Sequence, residues 1–224
     1  MSINLINPYR FAGETEFASM YESFNDLTTV NKQHFVEWFT GNTLRTDTWN
    51  KDNSDAGYTI EMDDSVNGGL KLINNAVHTE SAVIDFDGIR QYSPTASEVI
   101  SVYKTVTTSG GTIVGLGKDY RNDNAYDSAA IQWDAGNSGG TVYILSSDGT
   151  AQSATTTGIS RDANVHVYKL GLTSTAITCS VDGVAGTSKT TNRPADPLMP
   201  VVKAYSYSGN TTQLNINYYE VYNT

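Results

Sequence analysis

Short runs in which apolar and polar residues alternate are the feature that most constrains the fold of this sequence. Ala129/Ile131/Trp133 is one such run, and similar runs follow from Trp38 onward at intervals of about 8–12 residues. Glycine-bearing turns such as Asp182-Gly183 separate the runs, and turns of this kind join antiparallel strands. Because alternation with period two gives a strand one buried face, the pattern predicts an all-β, two-sheet antiparallel sandwich.

The first 36 residues follow a different pattern, in which apolar side chains recur at the spacing of one helical face. We therefore predict an N-terminal arm over residues 1–36, with a short amphipathic helix, and a single sandwich domain over residues 37–224. Left in water, the large apolar side chains of the arm would form a patch that soluble monomers usually avoid. They either pack on the arm's own domain or form an assembly arm that docks on a neighbouring chain, and they are Tyr9, Phe11, Phe17, Met20, Tyr21 and Phe24.

Charge and composition narrow the classes of partner. The chain has 224 residues, with 14 basic and 24 acidic side chains and a formal net charge of -10, and no run of Lys or Arg that could neutralise phosphates. Nucleic acid is not expected as a partner. Cys179 is the only cysteine, so we expect a buried free thiol and no disulfide. The sequence shows neither a signal peptide nor a long apolar span, which predicts synthesis in the cytoplasm and no membrane insertion.

Several motifs in the C-terminal part resemble a known superfamily when they are taken in order. They are His166-Val167-Tyr168-Lys169-Leu170, Ile177-Thr178-Cys179-Ser180-Val181-Asp182-Gly183, Pro197-Leu198-Met199-Pro200-Val201-Val202 and Ile216-Asn217-Tyr218-Tyr219-Glu220-Val221-Tyr222. This order resembles the concanavalin A-like lectin/glucanase jelly roll, which includes laminin-G-like and laminarinase-like domains. Trp38-Phe39-Thr40-Gly41-Asn42-Thr43-Leu44, followed by Trp49, resembles its opening strand and turn. The resemblance implies a concanavalin A-like jelly roll from about Trp38 to Thr224.

The opening MSINLINPYRFAG and the abundance of Gly, Ser, Thr and Asn resemble proteins of tailed bacteriophages. In such phages, jelly rolls of this kind occur on capsid decorations, tails and fibres. The resemblance implies that the protein is located in the virion. Its expected partners are other virion proteins or copies of itself, bound through the arm, and a cell-surface glycan is a further candidate.

Catalytic residues are not evident in the sequence. The superfamily's glucanases use two carboxylates in an E-x-D-x-x-E spacing, one as nucleophile and one as acid/base. The nearest match is Glu61-Met62-Asp63-Asp64-Ser65-Val66, which lacks the second Glu. None of the three histidines has the context of a Ser/His/Asp triad, and there is no G-x-S-x-G elbow. These observations predict no catalytic residues, no cofactor and no enzymatic activity.

An oxygen-rich loop over residues 119–127 is the one candidate for calcium. Its oxygen donors miss the spacing of known calcium loops, so we expect a solvated loop and no metal. They are Asp119, Asn122, Asp123, Asn124 and Asp127.

A glycan site needs an aromatic platform and directional polar groups, because sugar rings stack on aromatic faces while their hydroxyls take hydrogen bonds. Candidates on the middle strands are Arg90, Tyr103, Gln132, Trp133, Asp134 and Tyr143. The alternation of Trp133 with Ala129 and Ile131 favours a core position for that ring instead.

Two functions stay open on the sequence. The leading hypothesis is a non-enzymatic structural or interaction protein of a phage particle, which displays a lectin-like sandwich. The alternative is a carbohydrate-binding module or a degenerate glucanase that acts on host polysaccharide.

Overall fold

A computed structural model describes residues 33–40, 43–53, 58–63, 69–74, 81–105, 110–119, 125–134, 140–206 and 211–224. The six apolar side chains of the predicted arm, from Tyr9 to Phe24, lie outside these residues, so the predicted helix and docking arm stay predictions. Within the described ranges the secondary structure is all β, and no helix there could cross a membrane.

Fifteen strands, numbered in chain order, make up the regular structure of the described residues. They are β1 (His34–Trp38), β2 (Asn50–Asn53), β3 (Thr59–Met62), β4 (Leu70–Ile73), β5 (Ser81–Asp85), β6 (Ser97–Thr105), β7 (Gly111–Gly117), β8 (Ser128–Asp134), β9 (Thr141–Ser147), β10 (Gln152–Ser160), β11 (His166–Leu172), β12 (Ile177–Val181), β13 (Val184–Ala185), β14 (Met199–Tyr205) and β15 (Gln213–Asn223).

The strands form two antiparallel sheets. Sheet A has the order β13-β12-β11-β6-β15-β4-β3, and β1 pairs with the second half of β15. Sheet B has the order β10-β9-β8-β7-β14-β5-β2. Consecutive strands β6 and β7 belong to different sheets, as do β4 and β5, so the chain crosses repeatedly between the two layers. The predicted two-sheet antiparallel sandwich is confirmed.

The two sheets differ in how far their outer faces are shielded. Strand β6 of sheet A alternates strictly between buried and half-buried residues, as expected when one face meets water. Strands β7 and β8 of sheet B are buried at all seven positions each. The outer face of sheet B is therefore a sheltered surface, and the outer face of sheet A is an open one.

An aromatic cluster around Trp49 joins the two sheets. The Trp49 ring is fully buried and meets Phe35 of β1 and Tyr219 of β15 at centroid distances of 5.7 and 5.6 Å. It also lies 5.0 Å from Phe86, which follows β5 of sheet B. Edge-to-face pairs at these distances are favourable for aromatic rings. The sequence between β1 and β2 thus contributes the ring on which both sheets pack.

A hydrogen bond crosses the core beside this cluster. The hydroxyl of Tyr219 in sheet A donates to the backbone carbonyl of Gly115 in sheet B at 2.8 Å. A side chain added at Gly115 would come within 2.5 Å of the Ala129 carbonyl oxygen. The close approach of β7 and β8 therefore requires glycine at this position. Cys179 is buried in the same core, as expected, and burial raises the pKa of its thiol to about 12.

Asp182-Gly183 forms the predicted tight turn, and its aspartate also anchors a histidine. Both turn residues have positive φ, 50° and 80°, as a type I′ hairpin turn requires. The Asp182 carboxylate contacts His166 Nδ1 at 2.6 Å, and Asp162 contacts His166 Nε2 at 2.8 Å. Burial acts to lower the pKa of His166, but the hydrogen bonds to Asp182 and Asp162 outweigh it and raise the pKa.

We predict that Tyr219→Phe lowers the free energy of unfolding by about 1–2 kcal/mol, because the buried Gly115 carbonyl loses a hydrogen-bond donor. Denaturant titration measures this change, and the m-value should stay the same. Tyr222→Phe is the control, since that hydroxyl donates to Glu98 at a partly exposed position, and its effect should be smaller. An equal effect of the two substitutions would contradict the proposed role of the inter-sheet bond.

We also predict a pH-dependent contribution from His166. Since its pKa is raised on folding, its contribution is complete below the unfolded value of about 6.5 and is lost as pH rises through the folded value. The stability difference between the wild type and His166→Asn should therefore shrink as the pH rises above about 6.5. Denaturant titrations of both proteins measure it, and a difference that stays constant with pH would show that the imidazole contributes by packing alone.

Candidate functional site

Polar side chains gather on the sheltered outer face of sheet B, around β8. Gln132 of β8 pairs with Tyr143 of β9 on one side and with Ile113 of β7 on the other. Lys203 of β14 follows Ile113 in the same row. The floor beside this row is a small apolar cluster of Ile113, Ala130 and Leu145, against which Tyr205 packs. Polar side chains thus adjoin a small apolar cluster on the same face of the sheet, as in many ligand sites.

The ring of Tyr205 lies across β7 because the residue beneath it is a glycine. Tyr205 of β14 pairs directly with Gly111 of β7, and a side chain added there would come within 2.2 Å of the phenol ring. Glycine therefore leaves the space that the ring occupies. The ring spans β7 and brings its hydroxyl to β8, where it lies 2.7 Å from Gln132 Nε2. The Lys203 ammonium lies 5.9 Å from the centre of the same ring.

The amide nitrogen of Gln132 forms hydrogen bonds within the site, whereas its amide oxygen forms none with the described residues. Its Nε2 donates to the Tyr205 hydroxyl at 2.7 Å and lies 3.4 Å from Asp134 Oδ2. Its Oε1 is buried and has no hydrogen-bond partner within the described part of the chain. Buried polar atoms are normally paired. The amide oxygen is therefore an acceptor that the described part of the chain leaves unused.

Asp134 ends β8 and is only 1% exposed. Its backbone carbonyl accepts a hydrogen bond from the Arg161 guanidinium, which lies 4.1 Å above the ring of Trp133. Trp133 is buried and its side chain alternates with those of Gln132 and Asp134, so it faces away from them. Arg161 thereby fixes the end of β8 from both the backbone and the ring.

The structure brings together three of the six predicted glycan residues, namely Gln132, Asp134 and Tyr143. Tyr103 belongs to sheet A and is buried in the core, where its ring stacks on Tyr168 at 4.0 Å. Arg90 lies near the opposite end of β7, where its Nε donates to the Lys118 carbonyl at 2.7 Å.

Sequence reasoning missed Tyr205 and Lys203, although one signal was present. Gly110 and Gly111 open β7, and two adjacent glycines at the start of a strand often mark a close approach of another group. Which group approaches depends on the pairing of β7 with β14, and these strands are more than eighty residues apart in the sequence. The alternating pattern does not encode that pairing.

The carboxylates on this face do not include Glu61, the residue of the nearest E-x-D match in the sequence. Glu61 lies in β3, in sheet A, where it pairs with Lys71 at 3.1 Å. Among the described strands of sheet B, Asp85 and Asp134 lie on the outer face, but β7 and β14 separate them. Three strand spacings put them at least about 14 Å apart, which exceeds the separation of roughly 5–9.5 Å between paired catalytic carboxylates.

The sequence predicts that the loop over residues 119–127 binds no calcium. Residues 120–124 of this loop lie outside the described ranges. Asp127 Oδ2 accepts hydrogen bonds from the backbone amides of Ala195 and Asp196, at 2.8 and 2.6 Å. This carboxylate therefore orders the chain before β14. The described residues contain no cluster of three or more His, Cys, Asp or Glu suited to a metal ion.

Comparisons of the sequence find no matching family model and no similar curated protein. The fold, by contrast, is similar to solved structures. A β-1,3-1,4-glucanase (lichenase) from a mouse hindgut metagenome matches with a TM-score of 0.60 and 14% identity, over 85% of this chain and 99% of that one. The β-glucanase of Bacillus licheniformis matches with a TM-score of 0.59 and 14% identity, over 88% and 99%. A pseudo β-1,3-glucanase of Mycobacterium tuberculosis matches with a TM-score of 0.61 and 14% identity, over 85% and 98%.

These findings correct the leading hypothesis from the sequence. The similar structures also include a glycosidic hydrolase and a transglycosylase, and they contradict the prediction of a non-enzymatic virion protein. The non-enzymatic part of that prediction followed from the missing second Glu after Glu61, a residue that the structure places in sheet A rather than on the sheltered face of sheet B. The virion part followed from the resemblance to phage proteins. The glucanase-related alternative agrees better with the neighbours. The chain has the all-β jelly-roll fold that these glucanases share.

Proposed function

We propose that this protein is a carbohydrate-active protein that binds a β-linked glucan across the outer face of sheet B and acts on it there. The observation that carries the proposal is the flat ring of Tyr205 beside Gln132 and Asp134. The proposal draws on the similarity of the fold to glucanases for the class of substrate. It takes the residues from the geometry of this site.

The site supplies the two kinds of contact that a sugar needs. The apolar face of a pyranose stacks on an aromatic ring, and Tyr205 presents a half-buried ring over Gly111. Sugar hydroxyls form directional hydrogen bonds, for which Gln132 Oε1 is a buried acceptor. Tyr143 extends the polar row along the sheet. A glucan chain lying along this row crosses the strands and contacts each in turn.

Asp134 supplies one of the two carboxyl groups that glycoside hydrolysis requires. A carboxyl group held beside a bound sugar acts as a general acid toward the glycosidic oxygen when it is protonated, or as a general base toward a water molecule when it is ionised. Gln132 lies next to it, and the contact between Arg161 and the Asp134 backbone holds its position on the strand. Asp85 is too distant to act with it as a pair. Asp134 is therefore the residue whose substitution tests turnover.

We predict that Tyr205→Ala weakens binding of a soluble β-1,3-1,4-glucan by about tenfold, the loss expected for one aromatic contact. Tyr205→Phe retains the ring and should bind more tightly than Tyr205→Ala. Affinity electrophoresis or calorimetry measures both. Val184→Ala is the control, because that exposed side chain lies in sheet A. If Tyr205→Ala binds like the wild type, the site is misplaced.

We predict that Asp134→Asn lowers turnover of the same glucan by about 100-fold or more, as loss of a general acid or base does, while binding changes little. Release of reducing ends measures turnover. Undiminished turnover in the variant would exclude Asp134 from the chemistry. A wild-type protein that neither binds nor cleaves any β-glucan would overturn the proposed function as a whole.

The location in the virion and the partners of residues 1–36 stay predictions from the sequence. Attachment of residues 1–36 to virion proteins or to copies of this chain is compatible with a glucan-active domain. Detection of the protein in purified particles would test that location independently of the glucan assays.

A further inference from the structure

We propose that the outer face of sheet A carries a second glycan-binding surface, the Trp38 strip, which consists of Trp38, Tyr218, Val102 and Val167. The inference rests on the proposed function, because the ligand is the same class of glucan. The four residues are direct neighbours in register across β1, β15, β6 and β11. They therefore form one straight row on the sheet opposite to the Tyr205 site.

The strip exposes apolar surface that the fold does not use. Trp38 is 51% exposed and Val167 is 45% exposed. The other two tryptophans, Trp49 and Trp133, are 0% and 4% exposed. The Trp38 and Tyr218 rings lie 4.4 Å apart at an angle of 55° and together make a two-ring platform. Aromatic platforms of this kind stack on the apolar faces of sugar rings.

Hydrogen bonds hold the platform in place. The Tyr218 hydroxyl donates to Glu220 Oε2 at 2.6 Å, and His34 Nε2 lies 2.8 Å from Glu220 Oε1. All three side chains lie on the outer face, with Tyr218 directly beside Trp38, Glu220 two residues further along β15, and His34 at the other end of β1. Because these contacts fix the Tyr218 ring before any ligand arrives, binding loses less conformational entropy. The Glu220 carboxylate also places a polar group beside the platform, where sugar hydroxyls need one.

The strip fits a glycan better than a protein partner. One row across four strands spans about 14 Å, and a stable protein interface buries roughly 800 Å² on each side. The neighbouring row contains Glu220 and Lys169, which flank Ile100, and charged residues are depleted from the cores of protein interfaces. The net charge of -10 disfavours phosphate-rich or acidic ligands. A neutral extended polysaccharide matches a narrow aromatic row with polar borders.

Tryptophan fluorescence tests the inference directly, since Trp38 is the exposed tryptophan of the three. Acrylamide quenching of the full-length protein is measured with and without a soluble β-1,3-1,4-glucan. We expect the glucan to protect the accessible tryptophan, and we expect Trp38→Phe to lack the protectable fraction. Unchanged quenching at a glucan concentration that saturates the Tyr205 site would overturn the inference.

Binding to insoluble β-glucan separates this surface from the Tyr205 site. We expect Trp38→Ala to weaken retention on the polysaccharide roughly threefold to tenfold, the range for one lost aromatic contact, with Val184→Ala as the exposed apolar control. Turnover of short soluble oligosaccharides should be unchanged in Trp38→Ala and lost in Asp134→Asn.

The outcomes distinguish the two proposals. If Trp38→Ala binds like the wild type while Tyr205→Ala does not, the Trp38 strip is wrong and the Tyr205 site stands. If Trp38→Ala instead converts a dimer into a monomer without affecting glucan binding, the strip is a self-association surface and the inference fails. If the wild-type protein binds no glucan in any assay, the proposed function fails, and the inference fails with it.

Discussion

The packing of the two sheets depends on one buried tryptophan and on the groups that satisfy it. Trp49 is fully buried, so its indole N–H needs an acceptor, and Glu37 Oε2 lies 3.3 Å away. Burial raises the pKa of Glu37, an effect that Arg45, at 3.6 Å, partly offsets. The buried Trp49 ring thus needs the Glu37 carboxylate on β1 as a hydrogen-bond acceptor. That carboxylate in turn is stabilised by Arg45 in the loop that follows β1.

Once the sheets are joined at this point, their outer faces differ in how far they are buried. Ile113, Ala130 and Leu145 form a buried apolar cluster on sheet B, where an unpaired polar atom such as Gln132 Oε1 is energetically costly. On sheet A the outer side chains meet water and pair with one another, as Lys169 does with Glu98 at 2.8 Å. A sheltered face suits the discrimination and chemistry of a reacting sugar, whereas an open face suits retention of a long chain.

The positions of most strands could be predicted from the sequence, but their pairing within the sheets could not. Alternation and Asp-Gly turns predicted most elements from β4 to β15, because both signals are local. They missed β10, whose sequence is almost wholly polar, and the two-residue β13. Tyr103 was grouped with Gln132 since both lie on middle strands, yet β6 belongs to sheet A and β8 to sheet B. The place of Tyr205 over Gly111 depends on long-range pairing of β7 with β14. Asp134 and Gln132 could be selected from their side chains, but their neighbours could not.

Tyr218 and Tyr219 are adjacent and identical, but Tyr219 packs in the core and Tyr218 lies on the outer face of sheet A. Alternation directs Tyr219 into the core, where Gly115 of the other sheet accepts its hydroxyl hydrogen, and directs Tyr218 outward to Glu220. Each hydroxyl has a partner, so hydrogen bonding does not distinguish the two residues. The rings do, because core packing explains the Tyr219 ring completely, whereas Tyr218 lies against a tryptophan that is half exposed to water. Exposed aromatic surface that is fixed by its own hydrogen bonds is surface available to a ligand.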